Sequence, residues 1–287
     1  GREGGQPPMR PDVLADLAYQ PFRDMVRAAL RHAGGIRIDH ILGLFRLWWV
    51  PAGLGPRMGT YIRYDHEAMV GILALEAYRA GALVVGEDLG TVEPWVRAYL
   101  RERGIIGTSV LWFENGEDGN PLAPEQWREY AMSSVTTHDL PPTTGYLAGD
   151  HVEVRSELGL LTESVEYERA AAARQTAAWI AILRARGVLA GDNPSEEEIV
   201  LAMHRMLTRT PSKVLNVTLT DAVGDRRTQN LPGTTNEYPN WRVPLSHPDG
   251  SPMWLEEVFT DERAARLSQV MNEKSPSCVT GERLARA

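Results

Sequence analysis

The chain has 287 residues, 43% hydrophobic and 24% charged, which suits one large or two small globular domains and excludes wholesale disorder. Its 30 Lys and Arg against 38 Asp and Glu leave a net charge of −8, so no positive field is available for a nucleic acid partner. A single cysteine, Cys278, excludes an intrachain disulfide and a thiolate metal site, and it fits a reducing compartment. No apolar run reaches the roughly 18 residues of a membrane span, and the first ten residues lack the apolar stretch of a secretory signal.

Along the chain, apolar strands alternate with amphipathic helices. Pro21 opens a helix in which Phe22, Met25, Val26, Ala29 and Leu30 follow at helical spacing, and Gly34-Gly35 stops it. Ile36-Arg37-Ile38-Asp39 reads as a short strand. Residues 43–59, rich in Gly and Pro, read as a loop carrying Trp48 and Trp49. The unit then repeats. Met69, Ile72, Leu73, Glu76 and Tyr78 fall on a helix ending at Gly81, Ala82-Leu83-Val84-Val85 is a buried strand, and Gly86-Glu87-Asp88-Leu89-Gly90 is the turn after it. Pro94 opens a helix that Gly104 ends, and Val110-Leu111-Trp112-Phe113 is a strand.

A helix around residues 124–130 leads to a strand at 134–137 and then His138-Asp139. Helices are expected over 164–186 and from Ser195 to about Leu207, the second with a Ser195–Glu198 capping box. Lys213 to Leu219 reads as a strand, 230–245 as irregular, 254–271 as a last helix and 272–287 as a flexible tail. About five strands covered by helices predict an α/β fold with a parallel sheet, whose reactive groups sit where strands end. Asp39, Glu87 and Asp139 each follow a strand and are expected to open onto one face.

Three carboxylates on one rim suit glycosidic-bond chemistry, where one acid protonates the leaving oxygen and another attacks or stabilises the anomeric carbon. Arg37, two residues before Asp39 on one strand, lies on the same side and is expected to hold that carboxylate ionised. Glu87 has no basic neighbour on its strand, and nearby carboxylates are expected to raise its proton affinity, as suits a general acid and base. The same residues also have plainer readings. An acid after a strand is equally an N-cap, Arg37–Asp39 can be a structural ion pair, His138 taken alone is more often a satisfied hydrogen-bonding histidine, and Trp48, Trp49 and Trp112 are more often core than platform.

Three stretches carry a resemblance: Gly34-Gly35-Ile36-Arg37-Ile38-Asp39-His40, Gly86-Glu87-Asp88-Leu89-Gly90 and Thr137-His138-Asp139-Leu140-Pro141. With Leu44-Phe45-Arg46-Leu47-Trp48-Trp49-Val50-Pro51, Asn230-Leu231-Pro232-Gly233-Thr234 and Asn240-Trp241-Arg242, they resemble the 4-alpha-glucanotransferases. These are the amylomaltases, family 77 of the glycoside hydrolases in the alpha-amylase clan. The resemblance spans about residues 7–245. It implies a (β/α)8 TIM-type barrel and a retaining two-step transfer between alpha-1,4-glucans. By motif, it implies Asp39 as nucleophile, Glu87 as acid and base, and Asp139 as the third acid on the sugar hydroxyls. Arg37 would hold Asp39, His138 would bond the donor sugar, and Trp48 and Trp49 would contact substrate. Maltodextrin donors and acceptors, with glucose released, are the implied partners. No metal or organic cofactor is implied, and the implied setting is cytoplasmic.

Only about 35 residues precede the strand resembling the family's fourth, whereas a complete barrel takes about 250 residues. The expectation is therefore a partial barrel covering about strands four to eight, the C-terminal part of a single catalytic barrel, unstable or inactive by itself. Three other readings are kept: an alpha-glucan hydrolase of the same clan, an inactive glucan-binding fragment, and a metal-dependent hydrolase using Asp39, His40, Glu87, Asp88, His138 and Asp139. The last has neither an HExxH motif nor carboxylate–histidine metal spacing.

Overall fold

The computed structural model describes residues 8–273; Cys278 and all but the first two residues of the expected tail lie outside them. The chain divides into two compact units, residues 1–108 with 130–132, and residues 109–129 with 133–287.

In the first unit α1 (Pro11–Asp16) and α2 (Gln20–Leu30) precede strand β1 (Gly35–Ile38). Strands β2 (Arg46–Trp49) and β3 (Thr60–Arg63) follow, then α3 (His66–Ala80), β4 (Leu83–Gly86) and α4 (Pro94–Glu102). Strands β1 and β4 pair in parallel, Gly35 opposite Leu83 through Ile38 opposite Gly86, and Val85 pairs in parallel with Ile106 on the far side. This is the expected βα alternation.

Helix α3 shows why the sequence starts and stops where it does. The Asp65 carboxylate accepts the Ala68 amide at 3.0 Å as N-cap, and Gly81, at φ 63°, closes the helix in the left-handed region. Its buried face carries Met69, Val70, Leu73 and Ala77, which join Phe22, Val26 and Leu30 of α2 in one core with Ile41, Val84, Val96 and Leu100. Glu76 is buried in that face. It accepts both Arg27 nitrogens at 2.7 and 3.0 Å and Arg79 at 3.0 Å. The Arg27 hydrogen bonds hold its carboxyl below the usual carboxylate range.

Residues 43–59 are not simply a loop. Strands β2 and β3 form an antiparallel hairpin, Arg46 opposite Arg63 and Trp49 opposite Thr60. The Gly- and Pro-rich connection hid two four-residue strands at its ends.

Strands β5 (Gly107–Val110), β6 (Ala131–Ser134) and β7 (Val214–Asn216) form a sheet in that order. Both β5 and β6 begin three residues before the expected strands. Residues 111–113 make a 3-10 turn instead. The helix expected at 124–130 is only a 3-10 turn at Pro124–Gln126.

The second unit is mainly helical: α5 (Thr143–Ala148), α6 (Asp150–Glu157), α7 (Val165–Ala185), α8 (Glu196–Leu207) and α9 (Leu219–Val223), then α10 (Leu255–Val258) and α11 (Glu262–Asn272). The Ser195–Glu198 capping box opens α8 as its spacing predicts. The final helix expected over 254–271 is two helices, broken where Asp261 caps the second. Of the expected tail, Asn272 ends α11 and Glu273 pairs with Arg205 at 2.9 Å. Trp179, Leu183, Met203, Met206 and Leu207 are fully buried.

Trp112 is buried and stacks on Tyr146 at 4.0 Å, and Tyr146 stacks on His151 at 4.5 Å. Burial pushes the Tyr146 hydroxyl up to about 12 and the His151 imidazole down to about 4.

Two tests follow from this packing. A Cβ at Gly145 would stand 2.3 Å from the Arg226 carbonyl oxygen, whereas one at Gly71, mid-helix in α3, meets nothing within 4 Å. Gly145→Ala is expected to cost about 1–3 kcal/mol and Gly71→Ala to gain up to about 1 kcal/mol, read from denaturant midpoints. His151 takes up a proton less readily folded than at its ordinary 6.5. Its contribution is therefore complete above about pH 6.5 and lost as pH falls through about 4, roughly 3 kcal/mol in all. His151→Phe, which keeps the stack, is expected to flatten that part of the acid dependence between pH 7 and 4.

Candidate active site

Asp39 is the residue after β1 and Glu87 the residue after β4, so the parallel register sets them side by side. The pairing continues past the strands: the Glu87 amide donates to the Ile38 carbonyl at 2.9 Å, and the Ile41 amide donates to the Glu87 carbonyl at 3.0 Å. Between these bonds lies His40, whose backbone is left-handed at φ 46°. That turn aims the His40 amide at the Glu87 carboxylate, 3.0 Å from Oε2. The Leu89 amide donates to Oε1 at 2.7 Å. Both oxygens of this buried carboxylate are thus held by backbone hydrogens, which fixes its orientation.

Asp39 is open to solvent. Arg37 donates to its Oδ1 at 2.9 Å, as expected from their spacing, and His40 Nδ1 lies 3.7 Å from Oδ2. One ligand atom from each of Asp39, His40 and Glu87 lies within 4.8 Å of the others. The first two carboxylates therefore face one small space, open on the Asp39 side and walled by backbone on the Glu87 side.

Asp88 turns the other way. It accepts the Thr108 amide at 2.9 Å and pairs with Arg97 at 3.3 Å, which ties the end of β4 to β5 and α4. Of the set named for the metal-dependent reading, Asp39, His40 and Glu87 lie together and Asp88 does not join them.

Trp48 and Trp49 are neighbours on β2 and face opposite sides. Trp48 is exposed, donates through Nε1 to the Pro56 carbonyl at 3.0 Å and meets Tyr61 edge-on at 4.9 Å. Trp49 packs against the core. The two do not form one stacking surface.

In the second unit, Asp139 does not sit directly on a strand end. Strand β6 stops at Ser134, and Asp139 lies in the loop before α5. His138 Nε2 is 3.7 Å from Asp139 Oδ1. The irregular segment supplies what single-strand spacing could not indicate. Asn230 Nδ2 donates to Asp139 Oδ1, and the Asn230 amide donates to the His138 carbonyl at 3.1 Å. Trp241, exposed and left-handed at φ 61°, lies against His138 at 5.2 Å. Asn240 holds the segment's shape, accepting the Leu231 amide at 2.7 Å and donating to Thr234 Oγ1 at 2.8 Å. A cleft of about 280 Å3 opens beside His138, lined by Leu140, Pro142, Leu219, Gln229 and Val243 among others.

The 4-alpha-glucanotransferase family profile matches residues 1–248. The chain belongs to the 4-alpha-glucanotransferase family. It is 64% identical over 282 residues to a 4-alpha-glucanotransferase of Mycobacterium tuberculosis, covering 96% of this chain and 39% of the relative. One from Haemophilus influenzae is 34% identical over 264 residues, covering 86% of this chain and 36% of the relative. The chain thus spans well under half the length of these relatives. The crystal structure of amylomaltase from Corynebacterium glutamicum superposes with a TM-score of 0.88 at 43% identity, over 93% of this chain and 39% of that one. Amylomaltase from Streptococcus agalactiae in complex with acarbose superposes at 0.69 and 18% identity, over 94% and 47%, a likeness of fold. The expected membership and α/β class are borne out. Among the described residues no helix is long and apolar enough to cross a membrane.

The Asn230 to Asp139 contact yields a test of the loop's packing. Asn230→Ala removes this amide donor to the Asp139 carboxylate and is expected to cost about 1 kcal/mol, read from the denaturant midpoint. Asn230→Gln, whose longer side chain carries the same amide, is expected to recover part of it.

Proposed function

We propose that the protein carrying this chain is a 4-alpha-glucanotransferase working by retaining double displacement, with Asp39 as nucleophile and Glu87 as acid and base. The observation that carries this reading is the packing of Asp39, His40 and Glu87 ligand atoms within 4.8 Å of one another. Retaining enzymes hold their carboxyl groups about 5–5.5 Å apart, and inverting enzymes hold them farther apart to admit a water.

In the first step an Asp39 oxygen bonds to the anomeric carbon of an alpha-1,4-glucan. The bond to the leaving 4-oxygen breaks, and Glu87 gives that oxygen its proton. In the second step the 4-hydroxyl of an acceptor glucan loses its proton to Glu87 and attacks the same carbon, releasing Asp39. Two inversions restore the alpha configuration. Arg37 keeps Asp39 charged and oriented through its 2.9 Å hydrogen bond. The amides of His40 and Leu89 hold the Glu87 oxygens in place for both proton transfers. Asp139 is the third acid, with Asn230 donating to it, and binds sugar hydroxyls of the distorted ring. His138 bonds the donor sugar, and Trp48 offers its exposed ring to the chain.

This reading takes maltodextrins as donor and acceptor and releases glucose, in a cytoplasmic setting. It also takes β1, β4, β5, β6 and β7 as the fourth to eighth strands of one catalytic barrel, to which the whole chain belongs. Family membership and the 64% identity to a 4-alpha-glucanotransferase support it.

Incubation of the protein with maltotriose is expected to give glucose together with maltotetraose and longer products. Glucose and maltose alone would favour hydrolysis and overturn the transfer reading. Asp39→Asn is expected to lower transfer at least about 1,000-fold while leaving glucan binding intact. Because the two carboxylates carry the reaction, treatment with a chelator is expected to leave the rate within about twofold; a larger loss would restore the metal-dependent reading.

A further inference from the structure

Helix α5 begins immediately after the loop that carries His138 and Asp139, and its N-terminus lacks a cap of its own. Pro142 occupies the N-cap position and has no side-chain acceptor. The Thr143 amide would therefore be an unsatisfied donor in the interior, since Thr143 is fully buried. Asp221, 78 residues on in the first turn of α9, supplies the missing acceptor. Its Oδ1 accepts the Thr143 amide at 2.6 Å and its Oδ2 accepts the Thr143 hydroxyl at 2.7 Å. Asp221 is itself buried, and Thr218 Oγ1 accepts its backbone amide at 3.3 Å.

A buried carboxylate costs several kcal/mol unless it is well bonded, so a carboxylate placed here constrains its partners strongly. Fully buried His204 lies behind it, Nε2 3.6 Å from Asp221 Oδ2, with Nδ1 donating to the Val200 carbonyl at 2.8 Å. A second tie runs parallel: Thr144 Oγ1 donates to the Asp225 carbonyl at 2.8 Å.

Three residues separate Asp139 from Thr143, and two of them are Pro141 and Pro142. Proline fixes φ, so this link is stiff and a displacement of Thr143 passes to Asp139. The same clamp joins two stretches of chain that line the cleft beside His138. Leu140 and Pro142 come from the Asp139 loop, and Thr218, Leu219 and Thr220 come from the stretch next to Asp221.

We propose that Asp221 is a positioning residue for the transfer reaction: by clamping both donors of Thr143, it sets the place of the Asp139 loop and the width of the cleft beside His138. The inference rests on the function proposed above. Asp221 touches no reacting atom. It acts through Thr143 and the two prolines.

The experiment measures kcat and KM for maltotriose disproportionation, and the thermal midpoint, for Asp221→Asn, Thr143→Val and Thr143→Ser in the protein carrying this chain, with Asp39→Asn alongside. Asp221→Asn keeps the volume and loses one acceptor, Thr143→Val loses the hydroxyl, and Thr143→Ser keeps it. The expected result is a kcat lower by about 10- to 100-fold in Asp221→Asn and by several-fold in Thr143→Val. KM is expected to change less than threefold, and Thr143→Ser is expected within twofold of the parent. Should Asp221→Asn fail to fold, the Val and Ser pair decides by the same criterion. Values of kcat per folded molecule within twofold of the parent in both Asp221→Asn and Thr143→Val, whatever the fall in midpoint, would overturn the positioning role. That result leaves Asp39→Asn inactive and the function standing. An unmodified protein that forms no longer glucans would overturn the function, and this role with it.

Discussion

Strands β1 and β4 run side by side with Ile38 opposite Gly86, and this register decides where two acids stand. Each acid is the first residue beyond its strand. The amides of Glu87 and Ile41 keep the two chains zipped past the end of the ladder, so neither carboxylate is left to a free loop. A slip of one residue would send one of them to the opposite face. Gly86 permits the fit: a side chain there would run into Ile41, which is buried directly beneath the turn. Core packing and acid placement in the first unit are therefore a single arrangement.

The second unit solves a different problem. Asp139 stands in a loop five residues past its strand, where no ladder can fix it. Its constraints come from far along the chain, through Asn230 at its side and Asp221 at the loop's downstream end. Long-range side-chain bonds replace backbone pairing as the source of rigidity, and each is made by a group that would be costly to leave buried alone.

The sequence displayed the parts that follow local rules. The capping box of α8, the glycine stop of α3 and the Arg37–Asp39 pair all depend on residues a few positions apart, and each is found as its spacing predicts. Strands β5 and β6 start ahead of the expected spans because, beside Val110 and Ala131, they bury the polar residues Thr108, Ser109, Ser133 and Ser134. These look like surface residues by hydropathy and are tolerated inside because they are bonded, Thr108 Oγ1 to the Gly86 carbonyl and Ser133 to Ser212. Asn230 falls in a stretch that carries the resemblance, but nothing local gives it a role, and Asp221 falls in none. Their partners lie 91 and 78 residues away, beyond the reach of any period or spacing.

The bent backbone at His40 separates two things that a single residue provides. The peptide hydrogen that reaches Glu87 depends on the left-handed turn, which Asn and Gly adopt as readily as His. The imidazole beside Asp39 is a separate contribution. Replacing the ring with a side chain that tolerates this turn would remove the imidazole beside Asp39 and leave the main-chain handle on Glu87 in place. The hold on Glu87 is thus encoded in a backbone shape, separately from the side chain that carries it.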